Sequence, residues 1–243
     1  MKKQIQKFSI LFVLAGILSL TGCKKDDPIV NTHDDAYGDV ILKKMSMMGN
    51  VKYLPIFFAG GEGIVGDEST VTAPDGTVYT LKEFWAGPGI LTGKGEMKNV
   101  FDFAGTYTFK LKFDDGYVKE VTDVLENVEI GIPFIQSFSR DTGEITVSWA
   151  AVPGADLYCV KLTELDIAGT KPLFKMAQLP TDRTSYTIHL DGGQGWLRPV
   201  SDLQSGTEYY IVVAAKKVEE GKEVSGKSHD FQTSSCNKIK FTY

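Results

Sequence analysis

The side chains that carry most enzyme chemistry are few and widely separated in this chain. Its 243 residues include only three histidines and three cysteines. The histidines His33, His189 and His229 are not accompanied by a Gly-x-Ser-x-Gly nucleophile turn. Zinc sites need closely spaced cysteine and histidine ligands, and no two such residues lie within five positions of each other. The sequence therefore predicts no catalytic residue, no metal site and no cofactor, and a triad assembled from distant segments is the enzymatic alternative.

Two aspartate pairs and two glycine-rich segments are better explained by turns than by ligand binding. Asp34-Asp35 and Asp114-Asp115 lack the alternating oxygen ligands of a calcium-binding loop. Gly60–Gly63 and Gly93–Gly95 lack the Gly-Lys-Ser/Thr ending of a phosphate-binding loop. We expect the first pair to be solvated linker and the other three segments to be hairpin or turn residues.

Cys23 is the cysteine whose surroundings suggest a specific chemistry. Three lysines precede the uncharged stretch Phe8 to Leu20, and two small residues then lead into the cysteine. This is the organisation of a secretory signal, and the stretch is shorter than the roughly 20 residues of a membrane-spanning helix. Leu20-Thr21-Gly22-Cys23 resembles the lipobox of bacterial lipoproteins, whose cysteine becomes the acylated first residue. The resemblance implies a signal peptide at residues 1–22 and a membrane-lipid partner bound through Cys23, and a plain cleaved signal is the alternative.

The segment after this cysteine is polar and charged and contains a proline. We therefore expect residues 23–35 to form a flexible tether of roughly 20 Å. Its start, Lys24-Lys25-Asp26-Asp27, resembles the acidic export signals of Bacteroidota surface lipoproteins. That resemblance implies an outer-membrane location with display at the cell surface, and an ordinary solvated linker is the alternative. The formal net charge of −5 predicts no nucleic-acid partner, since nucleic acid requires a basic face.

Residues 36–131 have the pattern of short strands joined by turns. Apolar and polar residues alternate from Tyr107 to Phe113, as in a strand buried on one face. The Asp115-Gly116 pair that follows is a strong hairpin signal. Ala104-Gly105-Thr106-Tyr107 resembles the corner before a late strand of bacterial Ig-like domains. This part of the chain is therefore expected to be an Ig-like β-sandwich.

Residues 132–235 show a second alternating pattern, which includes Ile145, Val147 and Trp149. Trp149 and the segment Leu203-Gln204-Ser205-Gly206-Thr207-Glu208-Tyr209 resemble the strand-B tryptophan and the tyrosine corner of a fibronectin type III domain. The sequence thus predicts an all-β chain of two tandem β-sandwiches, Ig-like and then fibronectin type III-like, with residues 236–243 as a C-terminal tail. Such an alternating tail usually extends the last strand of its own domain, and pairing with a neighbouring molecule is the alternative. Four residues are expected in the second core: Trp149, Tyr158, Leu203 and Tyr209.

The two remaining cysteines are not expected to form a disulfide. Cys159 lies near the start of one predicted strand, and Cys236 lies beyond the end of another that runs in the same direction. This places them about 20 Å apart, whereas a disulfide requires Cα atoms within roughly 7 Å.

Trp85 and Trp196 lie among turn residues, outside the alternating strand patterns. Each could present a flat face to a protein or carbohydrate ligand, or could cover the open end of its own sandwich. We therefore expect a non-enzymatic, membrane-anchored binding or adhesion module. The alternatives are an accessory glycan-binding lipoprotein of a polysaccharide-uptake system and a structural subunit of a surface assembly, which would pair its C-terminal tail with a neighbour.

Overall fold

The computed structural model describes residues 32–47, 49–86, 89–164, 171–222 and 230–243. Within these ranges the chain forms fifteen β-strands and two short 3-10 turns, Thr32–Asp35 and Val200–Asp202. Neither turn approaches the length and apolar character that a membrane-spanning helix requires. Cys23, the expected signal peptide and His229 lie outside the described residues.

The first half of the chain forms a β-sandwich. A four-stranded sheet in the order β4-β3-β7-β8 faces the strands β1, β2, β6 and β5. The bounds are β1 Tyr37–Met47, β2 Asn50–Gly60, β3 Thr70–Thr72, β4 Val78–Thr80, β5 Lys82–Glu83, β6 Ile90–Lys94, β7 Gly105–Lys112 and β8 Val118–Leu125.

The apolar residues of the alternating pattern in β7 lie in the core of this sandwich, as expected. Tyr107, Phe109 and Leu111 are buried, and the Tyr107 hydroxyl donates to the Phe103 carbonyl at 2.9 Å. The hairpin to β8 closes at Asp115-Gly116, where Gly116 has a φ of 89°, in the left-handed region that glycine adopts without strain. The local sequence therefore accounts for this hairpin.

The second half forms another sandwich, in which the three-stranded sheet β13-β10-β9 packs on the strands β12-β11-β14-β15. This three-on-four arrangement agrees with the expected fibronectin type III-like fold, so the predicted all-β architecture with two sandwiches is confirmed. The bounds are β9 Ile135–Asp141, β10 Glu144–Trp149, β11 Leu157–Thr163, β12 Phe174–Leu179, β13 Ser185–His189, β14 Glu208–Val218 and β15 Phe231–Thr242.

The four core residues expected in this sandwich are all buried in one cluster. Trp149 contacts Tyr158 edge-on, with 5.3 Å between ring centroids. The Tyr209 hydroxyl accepts the Gln204 amide at 2.8 Å and lies 3.3 Å from the Asp202 carbonyl, to which it donates. The corner tyrosine therefore holds the loop before β14 against the core.

The two sandwiches share one eight-stranded sheet, in the order β12-β11-β14-β15-β1-β2-β6-β5. The joint is a short parallel pairing of β1 with β15, from Leu42 opposite Thr233 to Met45 opposite Cys236. The segment that connects the sandwiches is bound to β15 as well, since Ser235 Oγ donates to the Ile130 carbonyl at 3.1 Å. Residues 32–243 consequently form one compact unit.

Residues 236–243 extend the last strand of their own sandwich and do not form a segment separate from it. Residues up to Thr242 belong to β15 and pair with β14, with Cys236 opposite Ala214 and Phe241 opposite Tyr209. The alternation at the C-terminus does indicate a strand. It does not indicate the partner, because no tight turn links β14 to β15 in the sequence.

The expectation of a flexible tether is wrong for its C-terminal end, because His33 is buried there with 8% relative exposure. Its ring stacks on Tyr117 with 4.4 Å between centroids, and its Nε2 lies 3.3 Å from Asp115 Oδ2. Lys119 Nζ donates to the His33 carbonyl at 2.7 Å. The polar composition of the segment gave no sign of this contact, because the aromatic platform lies in the distant β7–β8 hairpin.

Cys159 and Cys236 lie much closer together than expected, although no disulfide joins them. Both are opposite Ala214, on the strands to either side of β14. Two strand spacings correspond to about 10 Å, which still exceeds the reach of a disulfide. The estimate of 20 Å was wrong because Cys236 lies within β15 and not beyond a strand end.

Candidate functional sites

Trp196 covers the edge of the second core. Its ring packs edge-on against Phe174, with 5.6 Å between centroids, and its Nε1 donates to the His189 carbonyl at 2.9 Å. A Cβ at the preceding residue, Gly195, would lie 2.4 Å from the Phe174 ring, so only glycine permits this close approach. These contacts favour the second of the two roles considered for half-buried Trp196, that of covering the open end of its own sandwich.

Trp85 lies at the β5 edge of the eight-stranded sheet and is half-buried. Its ring packs on Phe84 at 5.0 Å, and Phe84 in turn contacts Phe58 edge-on at 5.7 Å. The cores of the two sandwiches, as far as the chain is described, do not include Trp85. We call Phe58, Phe84 and Trp85 the aromatic edge.

Each of the two described histidines lies near a carboxylate. His189 Nδ1 lies 3.7 Å from Glu144 Oε2 on an exposed surface, where the pair is a surface contact across two strands. His33 is held in the aromatic stack described above.

The structure brings together three carboxylates that the sequence analysis did not connect. Asp39 lies in β1, Asp123 lies in β8, and Glu219 directly follows β14. One oxygen of each lies within 4.8 Å of the others. We call these three residues the carboxylate cluster. They are far apart in the sequence and come from strands without a shared turn, so no local motif could have revealed them.

Burial dominates the electrostatics of this cluster. It raises the pKa of Asp39 to about 9, with further contributions from the nearby charges of Asp123 and Glu219. Burial also raises the pKa of Glu219 to about 7, again with the repulsion of Asp123. The pKa of Asp123 is raised by burial as well, although the Val40 amide donates to its Oδ2 at 2.7 Å.

We call the region where β1 pairs with β15 the seam between the sandwiches. A groove of about 710 Å³ opens there, beside the carboxylate cluster. Charged and polar side chains line much of it, and two of them, Lys217 and Asp156, are paired at 3.0 Å. The lining includes Glu126, Asp156, Lys217, Glu219, Lys222 and Gln232.

Comparisons with known proteins give structural similarity at low identity. Neither the protein-family models nor the curated protein sequences match this chain. A two-domain fibronectin type III segment of chicken tenascin is 18% identical, with 85% of this chain and 100% of that chain covered and a TM-score of 0.29. A DUF3823 family protein from Bacteroides uniformis is 9% identical, with 85% and 99% covered and a TM-score of 0.32. Superpositions this weak carry no functional argument, and the fold assignment rests on the strand topology.

Proposed function

We propose that this protein is a non-enzymatic binding module outside the cytoplasm, anchored to the outer membrane by a lipid on Cys23. The sequence feature that supports the anchor is the uncharged stretch Phe8 to Leu20, which follows lysines and ends at the lipobox-like tetrapeptide. One acyl chain holds a protein only marginally, and each buried methylene adds about 0.8 kcal/mol. Lipobox lipoproteins typically carry several chains, which is sufficient for stable attachment.

The aromatic edge is the observation that best supports a binding role. Half-buried Trp85 rests on Phe84 and is not among the residues described in the two sandwich cores. Aromatic rings that keep one accessible face are common anchors in protein interfaces and can also stack on sugar rings. The ligand proposed for this surface is a protein or a carbohydrate.

A glycan-binding accessory role is the second candidate, and it is favoured by the same indole face. The remaining alternative is a structural subunit that pairs its C-terminal strand with a neighbour. That strand is bonded to β14 on one side, and β1 covers its other side only from Thr233 to Cys236, so a neighbour would pair along the later residues of that side.

The ligand surface is tested with soluble protein beginning at residue 24, which contains the whole compact unit of residues 32–243. A glycan array and binding to intact cells are measured for wild type, Trp85→Ala and Phe134→Ala. The last is a matched control, since Phe134 is 68% exposed in another part of the surface. We expect Trp85→Ala to lose binding with an unchanged melting temperature, and Phe134→Ala to bind normally. Equal binding by all three proteins would refute a ligand role for the aromatic edge.

Exposure at the cell surface is tested by treating intact cells with protease. We expect the full-length protein to be digested while a periplasmic marker survives. Protection of the protein from the protease would place it on the inner side of the outer membrane and would refute surface recognition.

A further inference from the structure

The seam between the two sandwiches places three acidic side chains around one point. Asp39, Asp123 and Glu219 each contribute a carboxylate oxygen to a group in which all atoms lie within 4.8 Å of one another. From this arrangement we propose that the carboxylate cluster is a binding site for one calcium ion.

Asp39 is the side chain whose surroundings point to a cation. It has only 4% relative exposure, and no donor in the described part of the chain reaches its Oδ2. Glu219 Oε1 is also buried without a donor there, and the side-chain contact of Glu219 is with Asp39 itself. Buried polar atoms in native proteins are almost always paired, and an unpaired buried carboxylate is especially costly.

Among the residues that the structure describes, three lysines lie near the cluster, and each has another contact. Lys216 Nζ lies 4.0 Å from the centre of the Phe231 ring. Lys222 Nζ lies 3.3 Å from Asp230 Oδ1, and Lys217 Nζ lies 3.0 Å from Asp156 Oδ1. The donors that do reach the cluster are main-chain amides. The Val40 amide donates to Asp123 Oδ2 at 2.7 Å, and the Asp230 amide lies 3.4 Å from Asp39 Oδ1. These amides orient the carboxyl groups but supply no positive charge.

The donor set and its spacing favour calcium over other metals. All three ligands are hard carboxylate oxygens, which suit calcium and magnesium and not the nitrogen and sulfur sites typical of zinc. Calcium binds oxygen at about 2.3–2.6 Å, so two of its ligand atoms can be roughly 5 Å apart. Magnesium binds at about 2.0–2.1 Å and requires near-ideal octahedral geometry, whereas calcium accepts irregular sets of oxygen ligands. The three ligand atoms all lie within 4.8 Å of one another, a distance that calcium spans without rearrangement.

A bound ion would join elements of both sandwiches. Asp39 and Asp123 lie in strands of the first sandwich, and Glu219 directly follows β14 of the second. Calcium at this point would stabilise the contact between the sandwiches, next to the short parallel pairing of β1 with β15. The inference is therefore that calcium stabilises the junction of the two sandwiches.

The direct test is isothermal titration calorimetry with calcium chloride on chelator-treated protein that begins at residue 24. We expect one ion per chain, with a Kd on the order of 10⁻⁴ to 10⁻³ M as in extracellular calcium modules. The melting temperature should rise with calcium and respond less to magnesium. No calcium heat and no change in melting temperature would overturn the proposal.

Three variants separate ion binding from a structural role. Glu219→Gln and Asp39→Asn should weaken calcium binding by about tenfold or more, because each removes a charged ligand. Asp39→Asn should fold about as well as wild type without metal, since the amide has nearly the same size as the carboxyl group and carries no charge. The control Glu220→Gln alters the adjacent exposed carboxylate and should bind calcium normally. An unchanged calcium response in Glu219→Gln would overturn the proposal. A melting temperature that depends on pH but does not respond to calcium at any pH would overturn it as well.

Discussion

At the scale of residues, Trp149 and Tyr209 lie in the core of the second sandwich, and both have 0% relative exposure. Strand alternation predicts the burial of Trp149, and the resemblance to the fibronectin type III corner implies that of Tyr209. His33 was misplaced, because a histidine among aspartates carries no sign that it stacks on Tyr117. Burial in a strand can be inferred from alternation, whereas a contact that depends on tertiary structure cannot.

Replacing Trp149 with alanine should lower the free energy of unfolding by about 3–5 kcal/mol, because it leaves a large cavity between the two sheets of the second sandwich. Trp149→Phe is the matched comparison and should cost less, since it keeps a ring and removes an indole Nε1 that lacks a buried acceptor. Urea denaturation measures both changes. A loss well below 1 kcal/mol for Trp149→Ala would contradict the assignment of this core.

His33→Ala should lower the free energy of unfolding by about 1–2 kcal/mol, since it removes the stack on Tyr117 and the contact with Phe113. Asp34→Ala is the control. Its side chain is exposed, and the contact from Lys119 to this residue uses the main-chain carbonyl. Similar denaturation midpoints for His33→Ala and wild type would show that the 3-10 turn is not fixed to the hairpin.

The buried Asp39 should make metal-free protein less stable as the pH rises. Its folded pKa of about 9 is above its ordinary value of 3.8. The unfolded chain therefore releases this proton first, and stability is lost between about pH 4 and pH 9. The charged groups that act on Asp39 across the seam are Asp123, Glu219, Asp230 and Lys216.

Melting temperatures measured across this pH range with a chelator present test the effect. Asp39→Asn should show a smaller fall than wild type, since its amide does not titrate. Parallel pH profiles for the two proteins would contradict the burial of Asp39 as a neutral acid.

At the scale of elements, the pairs joined by tight turns were predictable and the pairs without them were not. The β7–β8 hairpin follows from alternation and from Asp115-Gly116. The parallel pairing of β1 with β15 joins opposite ends of the chain, and neither strand carries a local signal for the other. The carboxylate cluster depends on that same long-range arrangement and was therefore not predictable.

Deletion of residues 236–243 should unfold the second sandwich, because it removes more than half of β15 and exposes the edge of β14. The deleted part includes Phe241, whose ring contacts both Tyr209 and Phe138. Circular dichroism and limited proteolysis measure the outcome. Lys240→Ala, which alters only an exposed surface ion pair with Glu208, should leave the fold intact. A stable, protease-resistant truncated protein would show that these residues are dispensable.

At the scale of the whole molecule, two sandwiches share one sheet in a compact unit that follows the proposed anchor. An undivided sheet would keep the aromatic edge and the carboxylate cluster in a fixed relation to each other. The anchor would determine where this unit works, and the aromatic edge would determine what it contacts. The proposed function therefore depends first on the acylation of Cys23.

Metabolic labelling with palmitate measures that acylation directly in growing cells. We predict that the wild-type protein is labelled and fractionates with the outer membrane, whereas Cys23→Ser is unlabelled and leaves that fraction. Cys159→Ser, which changes a cysteine buried in the sheet, should keep the label. An unlabelled wild-type protein, or a Cys23→Ser variant that fractionates like wild type, would contradict the proposed lipid anchor.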